Sequence, residues 1–299
     1  MKKRYLALML LLSTFLFGAK ADSSIWGNNL LSNILEYDKE GSLHMGHYFT
    51  VIQSTYIQPM LLFVLIVIPL AFAAHYFIVG PKVFSHSGKS IMVFSLFKRI
   101  NHALAAISFM VIIPTGIIMI FGDFFGGGAF VRFCKGAHAI ASPLFMISVI
   151  PMLLTWMKRM IFSPKDDIRW LKIVGGYLSK EKKPIPAGMF NMGQKIYFWF
   201  VTLGGLVMIA TSVILYLVDF ELGIFTSMGL SQIDVLRISA LTHNIIGIFI
   251  VAMFMVHIYM SVFAIKDAYK SMIDGTIPEE EVKILHSSYY KELQEKGEV

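Results

Sequence analysis

The sequence predicts an all-α membrane protein in which a bundle of four transmembrane helices follows one extra N-terminal transmembrane helix. Two observations carry this prediction. Of the 299 residues, 56% are hydrophobic and only 15% are charged, and the mean hydropathy is +0.68, which is outside the usual range of soluble domains. The apolar residues also form separate runs, each long enough to cross a hydrocarbon core of about 30 Å at about 1.5 Å per residue.

The N-terminus has the composition of a signal peptide. Three basic residues precede an apolar stretch at residues 6–17, and the small residues Ala19 and Ala21 follow it. We therefore expect residues 1–21 to be a signal peptide that is cleaved after Ala21, and the alternative is an uncleaved first helix with the same orientation downstream. Residues 22–56 are polar and mixed, and we expect them to form a short periplasmic segment.

Five apolar runs follow and define the domain organisation. The extra helix is predicted in residues 57–80 and the four-helix core in residues 97–266, and residues 267–299 form a tail. Pro278 and the three glutamates after it predict a helix start in this tail, because acidic side chains favour the first turn of a helix. The predicted spans are residues 57–79, 103–121, 136–156, 196–218 and 238–265.

The basic residues indicate the orientation of the spans. Lysine and arginine are concentrated in the loop between the first two spans and in the long loop before the fourth, whereas the other two loops carry few. Because cytoplasmic loops are enriched in basic residues, we predict a multi-pass protein of the inner (cytoplasmic) membrane with a cytoplasmic C-terminus. The net charge of +7 is thus a topology signal rather than a nucleic-acid-binding face.

Four histidines lie inside or at the ends of the spans, at positions 102, 138, 243 and 257. An imidazole is costly to leave unpaired in an apolar segment, so its placement is informative. His243 and His257 are 14 residues apart, which places both on nearly one helix face about 21 Å apart. By topology, His138 matches the depth of His243 (the outer pair), and His102 matches that of His257 (the inner pair).

Two histidines that face each other across a gap between helices suit the two axial positions of a haem iron. This arrangement leaves no open coordination position and favours electron transfer over ligand chemistry. The alternative for each histidine is a buried imidazole that is hydrogen-bonded to a carbonyl or a serine. His75 has no depth-matched partner, and His44, His47, His86 and His286 lie in polar segments, where we expect them to be solvated.

The chain also resembles the formate dehydrogenase gamma subunit family, the cytochrome b subunits of respiratory formate dehydrogenases. The resemblance covers roughly residues 97–286. Its motifs are Arg-Ile-Asn-His at 99–102, Arg-Phe at 132–133 before His138, Phe-Asn-Met-Gly-Gln-Lys at 190–195, Arg237 before His243 and His257, and Met-Ile-Asp-Gly-Thr at 272–276. The order and spacing of these motifs together make the resemblance specific.

The resemblance implies a four-helix di-haem cytochrome b core and a quinone site beside the inner haem. It assigns His138 and His243 to the outer haem b, His102 and His257 to the inner haem b, and Asn191, Gly193 and Gln194 to a menaquinone site. A quinone carbonyl needs a hydrogen-bond donor, which an amide supplies without a permanent charge. The alternative for Asn191 is a helix N-cap.

The implied partners are an iron–sulfur beta subunit and a molybdenum or tungsten catalytic alpha subunit, together with quinone and membrane lipid. In this interpretation the chain has no dehydrogenase active site of its own. A second hypothesis changes the electron donor, because cytochrome b subunits of nickel–iron hydrogenases and of thiosulfate or polysulfide reductases share the four-helix plan. A third hypothesis is a haem-free membrane transporter or scaffold, in which the histidines are structural.

Overall fold

The computed structural model describes residues 41–85, 88–217 and 223–299. The predicted signal peptide and residues 22–40 of the predicted periplasmic segment lie outside the described residues, as does His86. The described residues fall into two compact units. The first contains residues 41–61, Phe109–Pro143 and Ile209–Ile245, and the second contains Leu62–Ser108, Leu144–Met208 and Ile246–Val299.

The prediction of an all-α membrane protein is confirmed. Five helices of the described residues are long and apolar enough to cross a membrane. Each begins before the predicted start of its span, because polar residues at the membrane surface continue the helix that an apolar run defines. The five are α1 (Gly46–Ile78), α2 (Leu96–Ile120), α3 (Gly128–Trp156), α5 (Met192–Tyr216) and α7 (Gln232–Ile258).

The extra helix α1 differs from the other four spans in its burial. Only 6% of its most apolar window is buried within the protein, against 22–28% for the other four spans. Large side chains such as Phe77 and Leu70 are exposed on it, as expected where lipid is the solvent. A π-helical segment, Ile52–Tyr56, interrupts α1, and Pro69 lies within it, which membrane helices tolerate.

The polar segments of the second unit form a folded layer. A two-stranded antiparallel ribbon pairs β1 (Ser90–Met92) with β2 (Thr276–Pro278). The predicted helix in the tail is confirmed, since α8 begins at Glu279 directly after Pro278. The remaining described α-helices are α4 (Pro164–Lys172), α6 (Gly223–Ser227), α8 (Glu279–Leu285) and α9 (Ser287–Glu295).

A tight turn after α4 requires glycine and sets the position of the following residue, Tyr177. Gly175 has a φ of +57°, and a Cβ atom there would lie 2.5 Å from the Trp170 ring. Glycine adopts this backbone conformation without a steric penalty. Trp170 belongs to a buried cluster with Phe84 and Leu285, against which Tyr177 packs, so the tail helix α8 and the loop after α4 share one core.

Candidate haem sites

The outer pair, His138 and His243, lies in the first unit on α3 and α7. The ring centroids are 6.3 Å apart and the ring planes are inclined by 59°. A threonine of another helix contacts each ring: Thr115 Oγ1 of α2 lies 3.1 Å from His138 Nδ1. Likewise, Thr211 Oγ1 of α5 lies 3.0 Å from His243 Nδ1. Four helices each contribute one side chain to this site.

The hydrogen bond to Thr115 determines which nitrogen of His138 carries the proton. The Thr115 hydroxyl lies 2.6 Å from the Val111 carbonyl oxygen and donates its single hydrogen there. Its oxygen must therefore accept from the Nδ1–H group of His138, which leaves the Nε2 lone pair for a metal. Gly116 lets this ring lie close to α2, since a Cβ atom there would be 3.4 Å from His138 Cε1.

The inner pair, His102 and His257, lies in the second unit on α2 and α7. The ring centroids are 6.1 Å apart and the planes are inclined by 54°. Tyr197 of α5 stacks on His257 with a centroid distance of 4.5 Å and an interplanar angle of 8°. Trp156 lies 6.5 Å from His102 at 21°. Aromatic side chains thus orient both rings of the inner pair.

Both pairs have the separation that a six-coordinate metal requires. A metal–imidazole bond is about 2 Å long and a ring nitrogen lies about 1 Å from its ring centroid, so opposite imidazoles on one metal have centroids about 6 Å apart. Among the described residues there is no cluster of three or more His, Cys, Asp or Glu side chains that could hold a metal ion. Pairs of this kind fit a metal that receives its other ligands from a macrocycle.

The other histidines are placed differently. His75 has no histidine partner within the described residues: its Nδ1 lies 2.5 Å from the Tyr259 hydroxyl and its Nε2 lies 2.8 Å from the Tyr177 carbonyl oxygen. His44 and His47 are exposed, as expected. The expectation that His286 is solvated is wrong: it is only 6% exposed, and its Nδ1 donates to the Gly188 carbonyl, because the tail folds back onto the loop before α5.

The three residues of the predicted quinone site lie at the start of α5. Asn191 is the residue directly before the helix, and its Oδ1 accepts a hydrogen bond of 3.0 Å from the Gln194 backbone N–H. In return, Gln194 Oε1 accepts one of 2.9 Å from the Asn191 backbone N–H. This is a reciprocal capping box. Asn191 is therefore a helix N-cap, and the capping box uses the oxygens of the two amides but not their NH₂ groups.

A buried ion pair lies beside this segment. Lys195 Nζ is 2.8 Å from Asp167 Oδ2 of α4, and the two side chains are only 7% and 1% exposed. Asp167 also accepts a hydrogen bond of 2.6 Å from the Ser163 backbone N–H. The charge of Lys195 is thus neutralised locally, and the ion pair joins the start of α5 to α4.

An apolar groove of about 540 Å³ borders the same turn of α5. Met192, Ile196 and Trp199 line it from α5, and Met160 lines it from the segment after α3. The Trp199 indole donates a hydrogen bond of 2.9 Å to the Met160 carbonyl. The groove therefore offers an apolar surface on the turns of α5 that follow Asn191.

The residues that orient the histidine rings were not predicted from the sequence. Thr115 and Thr211 are polar residues within apolar spans, and this pattern could have identified them as hydrogen-bond partners of the histidines. Tyr197 and Trp156 had no such signal, because aromatic residues are frequent throughout the spans. Their role depends on which faces of α3 and α5 meet α2 and α7, and the sequence does not specify this.

The helices and histidine pairs define an integral membrane protein of the cytochrome b class. The family model of prokaryotic cytochrome b561 matches residues 93–275, which is more than half of the chain. The chain belongs to this family, and the family implies that it binds haem b.

Similar proteins confirm the resemblance noted from the motifs. The chain is 26% identical over 198 residues to the formate dehydrogenase cytochrome b556 subunit of Haemophilus influenzae, covering 65% of this chain and 79% of that protein. It is 30% identical over 159 residues to the nitrate-inducible formate dehydrogenase cytochrome b556(Fdn) subunit of Escherichia coli K12, covering 52% and 70%. It is 23% identical over 207 residues to the cytochrome b556(fdo) subunit of the same organism, covering 67% and 92%.

Proposed function

We propose that this chain is the membrane cytochrome b subunit of a respiratory formate dehydrogenase. In this role it accepts electrons from an iron–sulfur subunit on the periplasmic side and delivers them to menaquinone on the cytoplasmic side. The observation that supports this proposal most is the presence of two histidine pairs. Their ring centroids are 6.3 and 6.1 Å apart, and each pair takes one histidine from helix α7. The similar proteins described above are named as formate dehydrogenase cytochrome b556 subunits, which supports this choice of complex.

The four histidines would hold two b haems, His138 and His243 the outer one and His102 and His257 the inner one. When bound, the haems supply two one-electron redox centres. Each haem would take two histidine ligands from the protein, a ligand set that suits electron transfer rather than oxygen binding. The protein's part is to fix the four rings, by threonine hydrogen bonds in the outer pair and by aromatic stacking in the inner pair.

Asn191, Gly193 and Gln194 would form the menaquinone site. The NH₂ groups of the two amides can donate to a quinone carbonyl, and the apolar groove beside Met192 offers a surface for the isoprenoid chain. Gly193 keeps the site open, since a Cβ atom there would lie 3.0 Å from the Trp170 ring and 3.3 Å from Asn191 Oδ1. The stacking of Tyr197, also on α5, on His257 relates this helix to the inner haem.

The proposal includes two further subunits, an iron–sulfur beta subunit and a molybdenum or tungsten catalytic alpha subunit. The metal of the catalytic subunit distinguishes this complex from a nickel–iron hydrogenase. Affinity purification of the chain from its own membranes in mild detergent, followed by metal analysis, is expected to recover molybdenum or tungsten. Recovery of nickel would indicate a hydrogenase instead.

The haem assignment is tested by spectroscopy of the purified chain. We expect two b haems per chain from the pyridine haemochrome and the reduced-minus-oxidised spectrum. The His138→Ala and His243→Ala variants should lose one spectral species, and His102→Ala and His257→Ala should lose the other. His75→Ala is the matched control, since His75 also lies in a span but contacts Tyr259 and the Tyr177 carbonyl, and it should keep both haems.

Two outcomes would contradict this assignment. A well-folded preparation without haem would remove the electron-transfer role and favour a transporter or scaffold. Loss of both haems in each single variant would contradict two separate pairs. The quinone site is tested by mixing the reduced protein with a quinone analogue, which should reoxidise the haems, and with a quinone-site inhibitor, which should prevent this reoxidation.

A further inference from the structure

Three consecutive glutamates begin α8, and their environments differ. Glu279 accepts a hydrogen bond of 2.7 Å from the Tyr290 hydroxyl, and Glu280 accepts one of 2.9 Å from Lys182 Nζ. Glu281 is only 6% exposed. No hydrogen bond or ion pair to its carboxylate occurs among the described residues. A buried carboxyl without a partner is costly to ionise, so its presence calls for a role.

Residues that follow Glu281 on α8 are buried among apolar side chains. The adjacent Val282 is buried in a hydrophobic cluster with Ile91. Leu285, one turn further on, is buried in another cluster with Trp170. Burial raises the pKa of Glu281 to about 7. At neutral pH both protonation states are therefore populated, which is the property that a group needs to accept and release protons during turnover.

Tyr177 connects Glu281 to the proposed quinone site. Its ring packs against Trp170, with centroids 6.3 Å apart, and its buried hydroxyl interacts with the Asn191 side chain. Burial raises the pKa of Tyr177, and the negative charge of Glu281 raises it further, whereas the hydrogen bond with Asn191 acts in the opposite direction. The Tyr177 hydroxyl thus lies within the electrostatic reach of Glu281 and contacts the amide that we assign to quinone binding.

The backbone holds α8 against the loop that leads to Asn191. The Ile185 N–H donates to the Ile284 carbonyl at 2.7 Å, and the Ser287 N–H donates to the Ile185 carbonyl at 3.1 Å. The His286 ring adds a hydrogen bond of 2.8 Å to the Gly188 carbonyl. The position of Glu281 is therefore fixed relative to the start of α5 by several hydrogen bonds that do not involve its own side chain.

Other charged and titratable groups on the elements packed around α8 have partners of their own. Two groups bond to backbone carbonyls: Lys82 donates to those of Ser179 and Glu181, and His286 donates to that of Gly188. Three carboxylates take the others: Lys182 pairs with Glu280, Lys283 and Tyr290 contact Glu279, and Lys195 pairs with Asp167. Tyr289 packs in the hydrophobic cluster around Val282. In contrast to these groups, Tyr177 has a hydroxyl whose pKa is raised by the negative charge of Glu281.

We propose that Glu281 supplies protons to the quinone oxygen held at Asn191 and that the Tyr177 hydroxyl relays them. This inference rests on the proposed quinone-reducing function. Reduction of a quinone to a quinol consumes two electrons, which come from the external donor, and two protons. For each proton, Tyr177 gives its hydroxyl hydrogen to the quinone oxygen and takes one from the Glu281 carboxyl. Water on the cytoplasmic side then reprotonates Glu281, and a bridging water or a side-chain rotation closes the gap to Tyr177.

The test compares two oxidants of the reduced complex. Anaerobically reduced protein is mixed with menadione, whose reduction takes up protons, or with ferricyanide, whose reduction takes up none, and reoxidation of the haem absorbance is followed from pH 6 to pH 8. Glu281→Gln should slow reoxidation by menadione about tenfold or more and remove its pH dependence. Reoxidation by ferricyanide should be unchanged. Glu280→Gln is the matched control and should behave like the wild-type protein.

A second variant and a second readout keep the inference open to refutation. Tyr177→Phe should reproduce the effect of Glu281→Gln, and infrared titration of the wild-type protein should show a carboxyl that titrates near neutral pH and is absent from Glu281→Gln. Wild-type kinetics in both variants would overturn the relay and leave the quinone function standing. If ferricyanide but not menadione reoxidised the wild-type haems, both the quinone-reducing function and the relay would be contradicted.

Discussion

The Nδ1 atom of His138 lies 3.1 Å from the Oγ1 atom of Thr115 and donates a hydrogen bond to it, because Thr115 uses its own hydrogen on the Val111 carbonyl. His243 has an equivalent contact of 3.0 Å with Thr211. The inner pair is held by stacking on Tyr197 and Trp156 instead. Since hydrogen bonding at Nδ1 raises the basicity of an imidazole ligand, the two proposed haems should differ in midpoint potential.

Replacement of Thr115 by valine should affect the outer haem alone. The substitution keeps the shape of the side chain but removes the acceptor for the His138 Nδ1–H group. The ligand then becomes less basic and its ring less constrained, so we expect the midpoint potential of one haem to rise and its affinity to fall by about tenfold or more. Redox titration of the two b-haem species measures both effects.

The controls for this prediction are two conservative substitutions. Thr115→Ser keeps the hydroxyl and should keep both potentials. Thr202→Val removes a buried threonine that donates to the Phe198 carbonyl in the second unit, and it should leave the outer haem unchanged. A shift of both haems in Thr115→Val would show a general disturbance of packing rather than the loss of one hydrogen bond.

Replacement of Tyr197 by leucine is the corresponding prediction for the inner pair. Leucine removes the ring that stacks on His257 at 4.5 Å, so the inner haem should bind less tightly while the outer species stays at full occupancy. Tyr197→Phe keeps the stacked ring and should keep both haems. Haem content and the resolved spectra of the purified variants measure the effect, and equal losses in both variants would assign it to the hydroxyl.

The sequence was informative wherever one rule dominates. Span lengths follow from the thickness of the hydrocarbon core, and the face and depth of His243 and His257 follow from helical geometry. The composition of the polar segments was less informative. Residues 267–299 were expected to be a tail with a solvated His286, yet β2, α8 and α9 pack on the loop before α5 and bury His286 and Glu281. Such burial depends on tertiary contacts that local patterns do not encode.

Asn191→Asp separates the structural and functional roles of this residue. An aspartate can accept the Gln194 backbone N–H and cap α5, but its carboxylate cannot donate to a quinone. We therefore expect thermal stability near that of the wild-type protein and a clear loss of menadione-dependent haem reoxidation. Asn191→Ala should lose that reaction and also about 1 kcal/mol of stability. Normal quinone kinetics in Asn191→Asp would remove this residue from the site.

The ion pair between Lys195 and Asp167 should be needed for stability as a pair. Asp167→Ala leaves Lys195 buried without its counterion, and we expect a loss of about 3–5 kcal/mol. The double variant Asp167→Ala/Lys195→Met removes both charges and should be destabilised less than the single variant. Thermal denaturation in detergent measures both, and a double variant less stable than Asp167→Ala would show that the two side chains do not act as a pair.

The buried carboxyl of Glu281 should make stability depend on pH. In the unfolded chain this group ionises near its ordinary pKa of 4.5, whereas in the folded protein it ionises near 7. Between these values the unfolded state releases a proton that the folded state retains, so stability falls as the pH rises, by a total of about 3 kcal/mol above pH 7. Glu281→Gln lacks this loss and should be more stable, relative to the wild-type protein, at pH 8 than at pH 5.

The quantity to measure is the difference in stability between the wild-type protein and Glu281→Gln, because other groups also titrate in this pH range. Burial lowers the pKa of His286, so its contribution to stability is lost as the pH falls below about 6.5, which is the opposite direction. His286 is present in both proteins and its effect cancels in the difference. Thermal midpoints at pH 5 and pH 8 therefore isolate Glu281, and a difference that does not change with pH would show that its carboxyl ionises normally in the folded protein.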